Sequence, residues 1–340
     1  MSREVVLTGI TTTGTPHLGN YVGAIRPAIE ASHNENVLSY YFLADYHALI
    51  KNQNPKLLQQ STFEIAATWL ACGLDPEKVV FYRQSDIPEI MELTWMLTCM
   101  SAKGLMNRSH AYKAMIQANE ENGKTDLEEG VTMGLFCYPI LMAADILMFK
   151  ANKVPVGKDQ IQHIEMARDL AQRFNHHYGE LLILPESVID KKSSVLTGLD
   201  GRKMSKSYNN TIPLFLPEKK LRKMINKIIT NSLEPGEPKD ADSSSVFQIY
   251  QAFASEEEAK EMRKKFEEGI AWGAAKQELF EYINEQIKNY REEYTRLMDN
   301  PDYVQKVLMQ GAEKARDVSV PYIKQLRDAI GFMPISKIGN

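Results

Sequence analysis

Two short strings carry residue types suited to gripping a polyphosphate. The first is the run Leu7-Thr8-Gly9-Ile10-Thr11-Thr12-Thr13-Gly14-Thr15-Pro16-His17-Leu18-Gly19-Asn20. It reads as a strand feeding a helix through a glycine turn, which leaves unpaired backbone N–H groups at the helix start as an anion site. Gly19 allows close approach of a base or ribose to the backbone. His17 and Asn20, three apart, share one side of the first helical turn and both can donate to phosphate oxygens. The plainer alternative is a packing glycine beside a capping histidine. The second string, Lys203-Met204-Ser205-Lys206-Ser207, lies in a polar stretch with Gly198 and Gly201. Two lysines among small hydroxyl residues on a loop suit a clamp on a leaving group whose charge grows as it departs; the alternative is a basic surface loop.

A third constellation is Tyr138, Met142 and Asp145, which fall at i, i+4 and i+7 and so share one helix face. Asp145 has apolar neighbours. A carboxylate buried there must find a donor. That donor is a ligand N–H, or else the protein's own backbone or an arginine.

The elements that would position these residues alternate in the first half of the chain. Glu4–Thr8 reads as a buried strand. Thr15-Pro16 reads as an N-cap with proline at the first helical position, followed by helical spacing at Leu18, Tyr21, Val22, Ile25 and Ile29. Val37–Ala44 and Val79–Arg83 read as buried strands flanking a helix from about Pro55 to Cys72. A helix is expected from about Tyr138 to Phe149, a short strand at Lys153–Val156, and a helix opened by Gly157-Lys158-Asp159-Gln160 running to about Asn175. The polar stretch Asp190–Asn210 follows. Beyond about 215 only helical spacing appears, as at Leu221, Met224, Ile225, Ile228 and Ile229. Glu256–Glu268 reads as a solvated helix face. The expectation is an α/β fold: a doubly wound parallel, Rossmann-like sheet with right-handed crossovers and an all-helical second domain.

At 340 residues the chain fits one large α/β domain and a smaller one. Composition is that of a globular protein, with 44% hydrophobic and 25% charged residues and no repeat. No signal-peptide stretch or apolar run of membrane-spanning length is seen, which gives a cytoplasmic protein with no membrane partner as the expectation. Cys72, Cys99 and Cys137 are scattered and form no CxxC pair, and His176 and His177 are adjacent, so no metal site is expected. A net charge of −4 does not exclude a nucleic-acid partner, because phosphate contacts need only a local basic surface.

The His-Leu-Gly-Asn turn after the first strand and the later Lys-Met-Ser-Lys-Ser string together resemble the signature pair of class I aminoacyl-tRNA synthetases. Adenylyl-transferring relatives of the same fold typically lack the second. Tyr138–Leu147, Val154–Gln160 and His163-Ile164-Glu165 extend the resemblance to the tryptophanyl-tRNA synthetase family, bacterial type, over nearly the whole chain. That resemblance implies adenylation of tryptophan by ATP with Mg²⁺, then transfer to tRNA(Trp), in a homodimer. It implies His17, Asn20, Lys203 and Lys206 as catalytic. Thr11, Gly19, Gly157, Lys158, Asp159, Met204, Ser205 and Ser207 join them around ATP, with Gly157 and Asp159 at the ribose. Around tryptophan it implies Asp145 as acceptor for the indole N–H, Leu7, Met142, Val154 and Val156 as walls, and Tyr138, Gln160 and His47 at the amino and carboxylate groups.

Leu7, Thr11 and Lys158 depart from the family's frequent Phe, Gln and Glu, and Lys113 is a candidate phosphate lysine. The implied domains are 1–205, completed by about 305–340, and a helical anticodon-binding domain at 206–304. Lys219, Lys220, Arg222, Lys223 and Lys227 are its candidate phosphate contacts. A tyrosyl enzyme, or a duplicated synthetase kept as a regulator or binding partner, is the alternative.

Overall fold

In this computed structural model, which describes residues 3–189 and 196–332, five strands form one parallel sheet. They are β1 (Glu4–Thr11), β2 (Val37–Ala44), β3 (Val80–Arg83), β4 (Lys153–Pro155) and β5 (Glu186–Val188), in the order β3-β2-β1-β4-β5. Every pairing is parallel, so each connection crosses over the sheet. The period-2 alternation of a strand sorts neighbouring side chains into two cores. Ile10, Tyr41, Leu43 and Phe81 face one; Leu7, Tyr40, Phe42, Val80 and Tyr82 face the other. Because both faces are covered, the strands are nearly continuous in apolar residues.

The first core begins with two helices and is continued by helices later in the chain. One is α1, a run of Leu18–Asn20, a π-helical turn Tyr21–Ile25 and Arg26–Ser32; the other is α2 (Pro55–Ala71), capped by Asn54, whose side chain accepts from Lys56 and Leu57 N–H. The second core takes α3 (Pro88–Met100), α5 (Met133–Met148) and α6 (Ile161–Tyr178), while α4 (His110–Glu121) lies outside it. After them come α7 (Glu218–Asn226), α8 (Ser245–Phe253), α9 (Glu256–Glu267), α10 (Trp272–Met298) and α11 (Pro301–Ala329). The chain therefore has the Rossmann-like parallel sheet and the helical C-terminal region expected of it. No helix among the described residues is long and apolar enough to cross a membrane.

The structure also corrects details. β1 runs three residues further than expected, to Thr11. Pro16 is not the first helical residue: its carbonyl accepts from Leu214 N–H and Leu18 N–H donates to Ile212, so the chain stays extended until His17, the true N-cap. The expected helix at Tyr138 begins earlier, at Met133, capped by the Thr132 hydroxyl. β5 was not anticipated. On α7, Leu221 and Ile225 are buried as expected, but Ile229 follows the helix and is 58% exposed. Asp190, at the start of the polar stretch, lies outside the described residues.

An edge strand such as β3 presents unpaired backbone groups and must be covered. The cover is α11. Its early residues Val304, Val307 and Leu308 belong to the first core, and Ala312, Ala315, Tyr322 and Leu326 to the second, so the helix passes from one face to the other around the edge. Gly311 stands at the crossing: a Cβ there would lie 1.7 Å from the Phe81 carbonyl oxygen. Polar clasps hold the helix in place. Lys314 Nζ donates to Pro76 O, Arg316 pairs with Glu89 at 2.9 Å, Arg327 pairs with Glu92, and the Tyr322 hydroxyl donates to Leu181 O. Gly311→Ala should therefore lift α11 off β3 and lower stability by about 1–3 kcal/mol, as overpacking does. Chemical denaturation beside the wild type measures this; an unchanged midpoint would mean that the crossing is not tight.

Candidate active site

In this sheet the chain steps outward from β1 through β2 to β3, then returns to place β4 on the other side of β1. Ligands of open α/β sheets bind at the carboxyl ends of the strands where the order reverses. The sequence-predicted residues collect at these ends: the first motif after β1, His47 after β2, and Val156 to Gln160 after β4. The start of α1 is built for this position. Asn20 Oδ1 accepts from His17 N–H at 3.1 Å, which fixes the side chain and leaves its NH₂ protons as the available donors. His17 is buried, and its Nδ1 has no hydrogen-bond partner in the protein. Burial, and then the nearby Lys206 charge, lower its pKa to about 4. At neutral pH it offers a hydrogen bond rather than a charge.

The two motifs meet. The segment after the lysine loop pairs with the first motif as an isolated antiparallel bridge, His17 with Pro213. Lys206 Nζ donates to Thr13 O and lies over Gly14, whose φ of +62° suits glycine. Partial desolvation lowers the pKa of this lysine. Gly19 faces the His17 ring on one side and Met204 Cβ, 3.6 Å from the position of an added Cβ, on the other. The chain therefore closes tightly at Gly19, and Met204 is buried in the first core at 4% exposure. Lys203, exposed, pairs opposite Thr197, and the Ser205 and Ser207 hydroxyls lie 2.8 Å apart.

Asn210, which the sequence reading did not single out, holds this loop. Its Oδ1 accepts from Ser205 N–H at 2.8 Å, and its Nδ2 donates to Lys203 O at 3.0 Å and to Asp200 Oδ1 at 2.7 Å. The Asn210 bond, with help from Arg202, lowers the Asp200 pKa to about 2. A Cβ on Gly198 would sit 2.4 Å from Asn210 Cγ, so glycine is required there.

The second half of the site is the polar cluster around Asp145, which has no solvent exposure. Gln84, at the end of β3 and equally buried, donates Nε2 to both carboxylate oxygens at 2.7 and 2.9 Å, and His47 Nε2 donates to Oδ2 at 2.8 Å. Desolvation raises the Asp145 pKa; the bonds from His47 and Gln84 oppose the shift. His47 Nε2 is thereby engaged with Asp145. Tyr138 lies edge-on to His47, with its hydroxyl 2.8 Å from His163 Nε2. Leu7 and Val154 are core side chains, at 1% and 3% exposure, in the same apolar cluster as half-buried Met142 and Val156. Thr11, Gly157, Lys158 and Gln160 are exposed, as is Lys113; the side chain of Asp159 lies outside the described residues.

Asn210→Ala would leave Ser205 N–H and Lys203 O without partners, at about 1–3 kcal/mol each, and release the loop. The expected outcome is a fall of about tenfold or more in the single-turnover rate at the phosphate site with unchanged affinity for the second substrate. Equal losses in both would instead mark Asn210 as a general folding residue.

The chain is similar in sequence and fold to known proteins. A family model described as "tRNA synthetases class I (W and Y)" matches residues 2–288. A protein of Neisseria meningitidis named tryptophan–tRNA ligase is 58% identical over 335 residues, covering 98% of this chain and 100% of its own. One of the same name from Pseudomonas aeruginosa is 60% identical over 330 residues, 96% of this chain and 73% of its own. Among solved structures, the tryptophanyl-tRNA synthetase of Campylobacter jejuni, complexed with ADP and tryptophan, superposes with a TM-score of 0.87. It is 40% identical and covers 96% of this chain and 99% of its own. That of Mycoplasma pneumoniae gives 0.78 at 28% identity, covering 99% of each chain.

Proposed function

The chain belongs to the class I tRNA synthetases of the tryptophan and tyrosine group, and we infer that it carries the tryptophan activity, ligating that amino acid to tRNA at the expense of ATP. The observation that carries this reading is the fully buried Asp145 carboxylate, held by Gln84 and His47, in a fold whose two signature motifs are joined at the end of β1. A buried carboxylate on the helix that also carries Met142 is a fitting acceptor for an indole N–H.

In the first step a tryptophan carboxylate oxygen bonds to the ATP α-phosphorus while the bond from that phosphorus to the bridging oxygen breaks, and pyrophosphate leaves with the electron pair. His17 and the Asn20 amide hold phosphate oxygens by neutral hydrogen bonds. Lys203 and Lys206 meet the charge growing on the pyrophosphate. Lys206 donates to Thr13 O, so its engagement with nucleotide would replace that bond. Mg²⁺ would enter with the triphosphate, whose oxygens suit it as ligands. In the second step a ribose hydroxyl of the terminal tRNA adenosine attacks the adenylate carbonyl, and AMP leaves. Thr11, Gly157, Lys158, Asp159, Ser205 and Ser207 border ATP in this reading, and Gln160 and Tyr138 the amino acid's polar end.

The exposed row Lys219, Lys220, Lys223 and Lys227 on and after α7 supports phosphate contact with tRNA, while Arg222 is engaged with Gln277 and the Phe280 ring. Residues 206–304 as the anticodon-binding unit, a cytoplasmic location and a homodimer complete the proposal. For the dimer, Met91 and Trp95, one turn apart on α3 and 42% and 67% exposed, supply an apolar surface. Trp95→Lys should shift the chain toward monomer in sedimentation equilibrium; an unaltered mass would place the contact elsewhere.

Pyrophosphate exchange with tryptophan, and not with tyrosine, is the direct test of the function. Asp145→Ala should reduce kcat/KM for tryptophan while leaving ATP binding nearly intact. It should also shrink the preference for tryptophan over phenylalanine by at least about tenfold. A charge-assisted bond worth about 1.5–3 kcal/mol is lost for one substrate, and a stranded carboxylate is relieved for the other. The ratio of the two kcat/KM values is the measurement, and an unchanged ratio would make Asp145 a structural residue.

A further inference from the structure

Gln84 is bonded from both ends. Its Oε1 accepts the Tyr46 backbone N–H at 3.1 Å, and its Nε2 donates to both Asp145 oxygens. Since a backbone N–H only donates and an ionised carboxylate only accepts, the amide can stand in one orientation. Tyr46 N–H is itself fixed, because it also donates to Asp45 Oδ1. Asp45 in turn receives Ser85 N–H at 3.0 Å and the Ser85 hydroxyl. The turn after β2 and the turn after β3 thus lock each other, and the lock ends on the carboxylate.

We propose that Gln84 is the positioning residue for substrate selection, holding Asp145 in the rotamer and charge state that accept the indole N–H. This rests on the reading that Asp145 is the indole acceptor. Among protein donors, Oδ2 receives both His47 and Gln84, whereas Oδ1 receives Gln84 alone and keeps more capacity for a ligand. A glutamine does not titrate, so the support it gives is the same at every pH. The other ionisable groups facing the carboxylate are His47, which stabilises its charge, Asp45, which opposes it, and the buried Tyr82 hydroxyl, which has no hydrogen-bond partner in the protein. Tyr138 and His163 bond to each other along the same wall.

Burial already raises the Asp145 pKa, and the Gln84 bond opposes that shift. Without Gln84 the folded pKa rises further, so the carboxylate takes up its proton as pH falls and the indole loses its charged acceptor. Gln84→Met keeps the length and removes the donor. Its KM for tryptophan should rise about tenfold at pH 6.5, recover partly by pH 8.5, and leave the KM for ATP within about twofold. Gln84→Glu should show the opposite slope, since that side chain donates to Asp145 only when protonated, and its KM should worsen as pH rises. Flat tryptophan profiles, or equal rises for ATP and tryptophan, would overturn the proposal. If Gln84→Met fails to fold, the slope of Gln84→Glu decides alone. Asp145→Ala separates the two layers. If it leaves tryptophan use intact, the indole reading itself fails; if it abolishes tryptophan use while the Gln84 variants stay flat, only the role of Gln84 fails.

Discussion

Everything in this site is arranged around one unexposed carboxylate. An isolated charge moved out of water costs several kcal/mol or more unless it is paired and hydrogen-bonded. Asp145 meets that demand from two strand ends, through Gln84 after β3 and His47 after β2, while itself riding on α5. Three separate crossover units must therefore be in register before the charge is satisfied. The parallel sheet is what makes that register reproducible. β2 pairs with β1 along all eight residues and with β3 along four, so the turns bearing His47 and Gln84 are held at fixed offsets. An acceptor held this way is rigid, as a group that must discriminate between similar substrates needs to be.

The phosphate half has the opposite character. Its lysines stand on a hairpin tied by one asparagine and one docked ammonium, mostly exposed and rich in bonds to single backbone groups. Segments with few buried apolar contacts open at low free energy. Met204 is the apolar anchor of that hairpin, seated in the first core near Leu196 and Ile212. In the proposed reaction the site would join a stiff amino-acid pocket to a clamp able to rearrange as pyrophosphate departs, the division of labour that transition-state stabilisation calls for.

Much of this was legible in the sequence, for reasons that are local. β2 and α2 came within a residue of their observed bounds, because unbroken apolar runs and a proline at a helix start are signals confined to a few positions. Asp145 stood out as a charge in an apolar face. What escaped was non-local. Gln84 and Asn210 are ordinary polar residues until Tyr46, Asp145, Ser205 and Lys203 are brought to them by other segments. Pro16 was misassigned for the same reason, since its pairing partner Leu214 is remote in sequence. β5 has only three residues, Glu-Ser-Val, too few to display any period.

The belt that α11 draws around the edge of β3 has a consequence for synthesis. The Arg316–Glu89 clasp joins residues 227 apart in the chain. At roughly 5–20 residues per second, a ribosome needs on the order of 10–45 s between making one partner and the other. For that interval β3 has emerged with its outer edge bare, a ready template for another nascent chain. The strand is only four residues long, which limits how much a stray strand can gain by adding to it. The turn carrying Gln84 follows directly from β3, so its strand is covered only when nearly the whole polypeptide has left the tunnel.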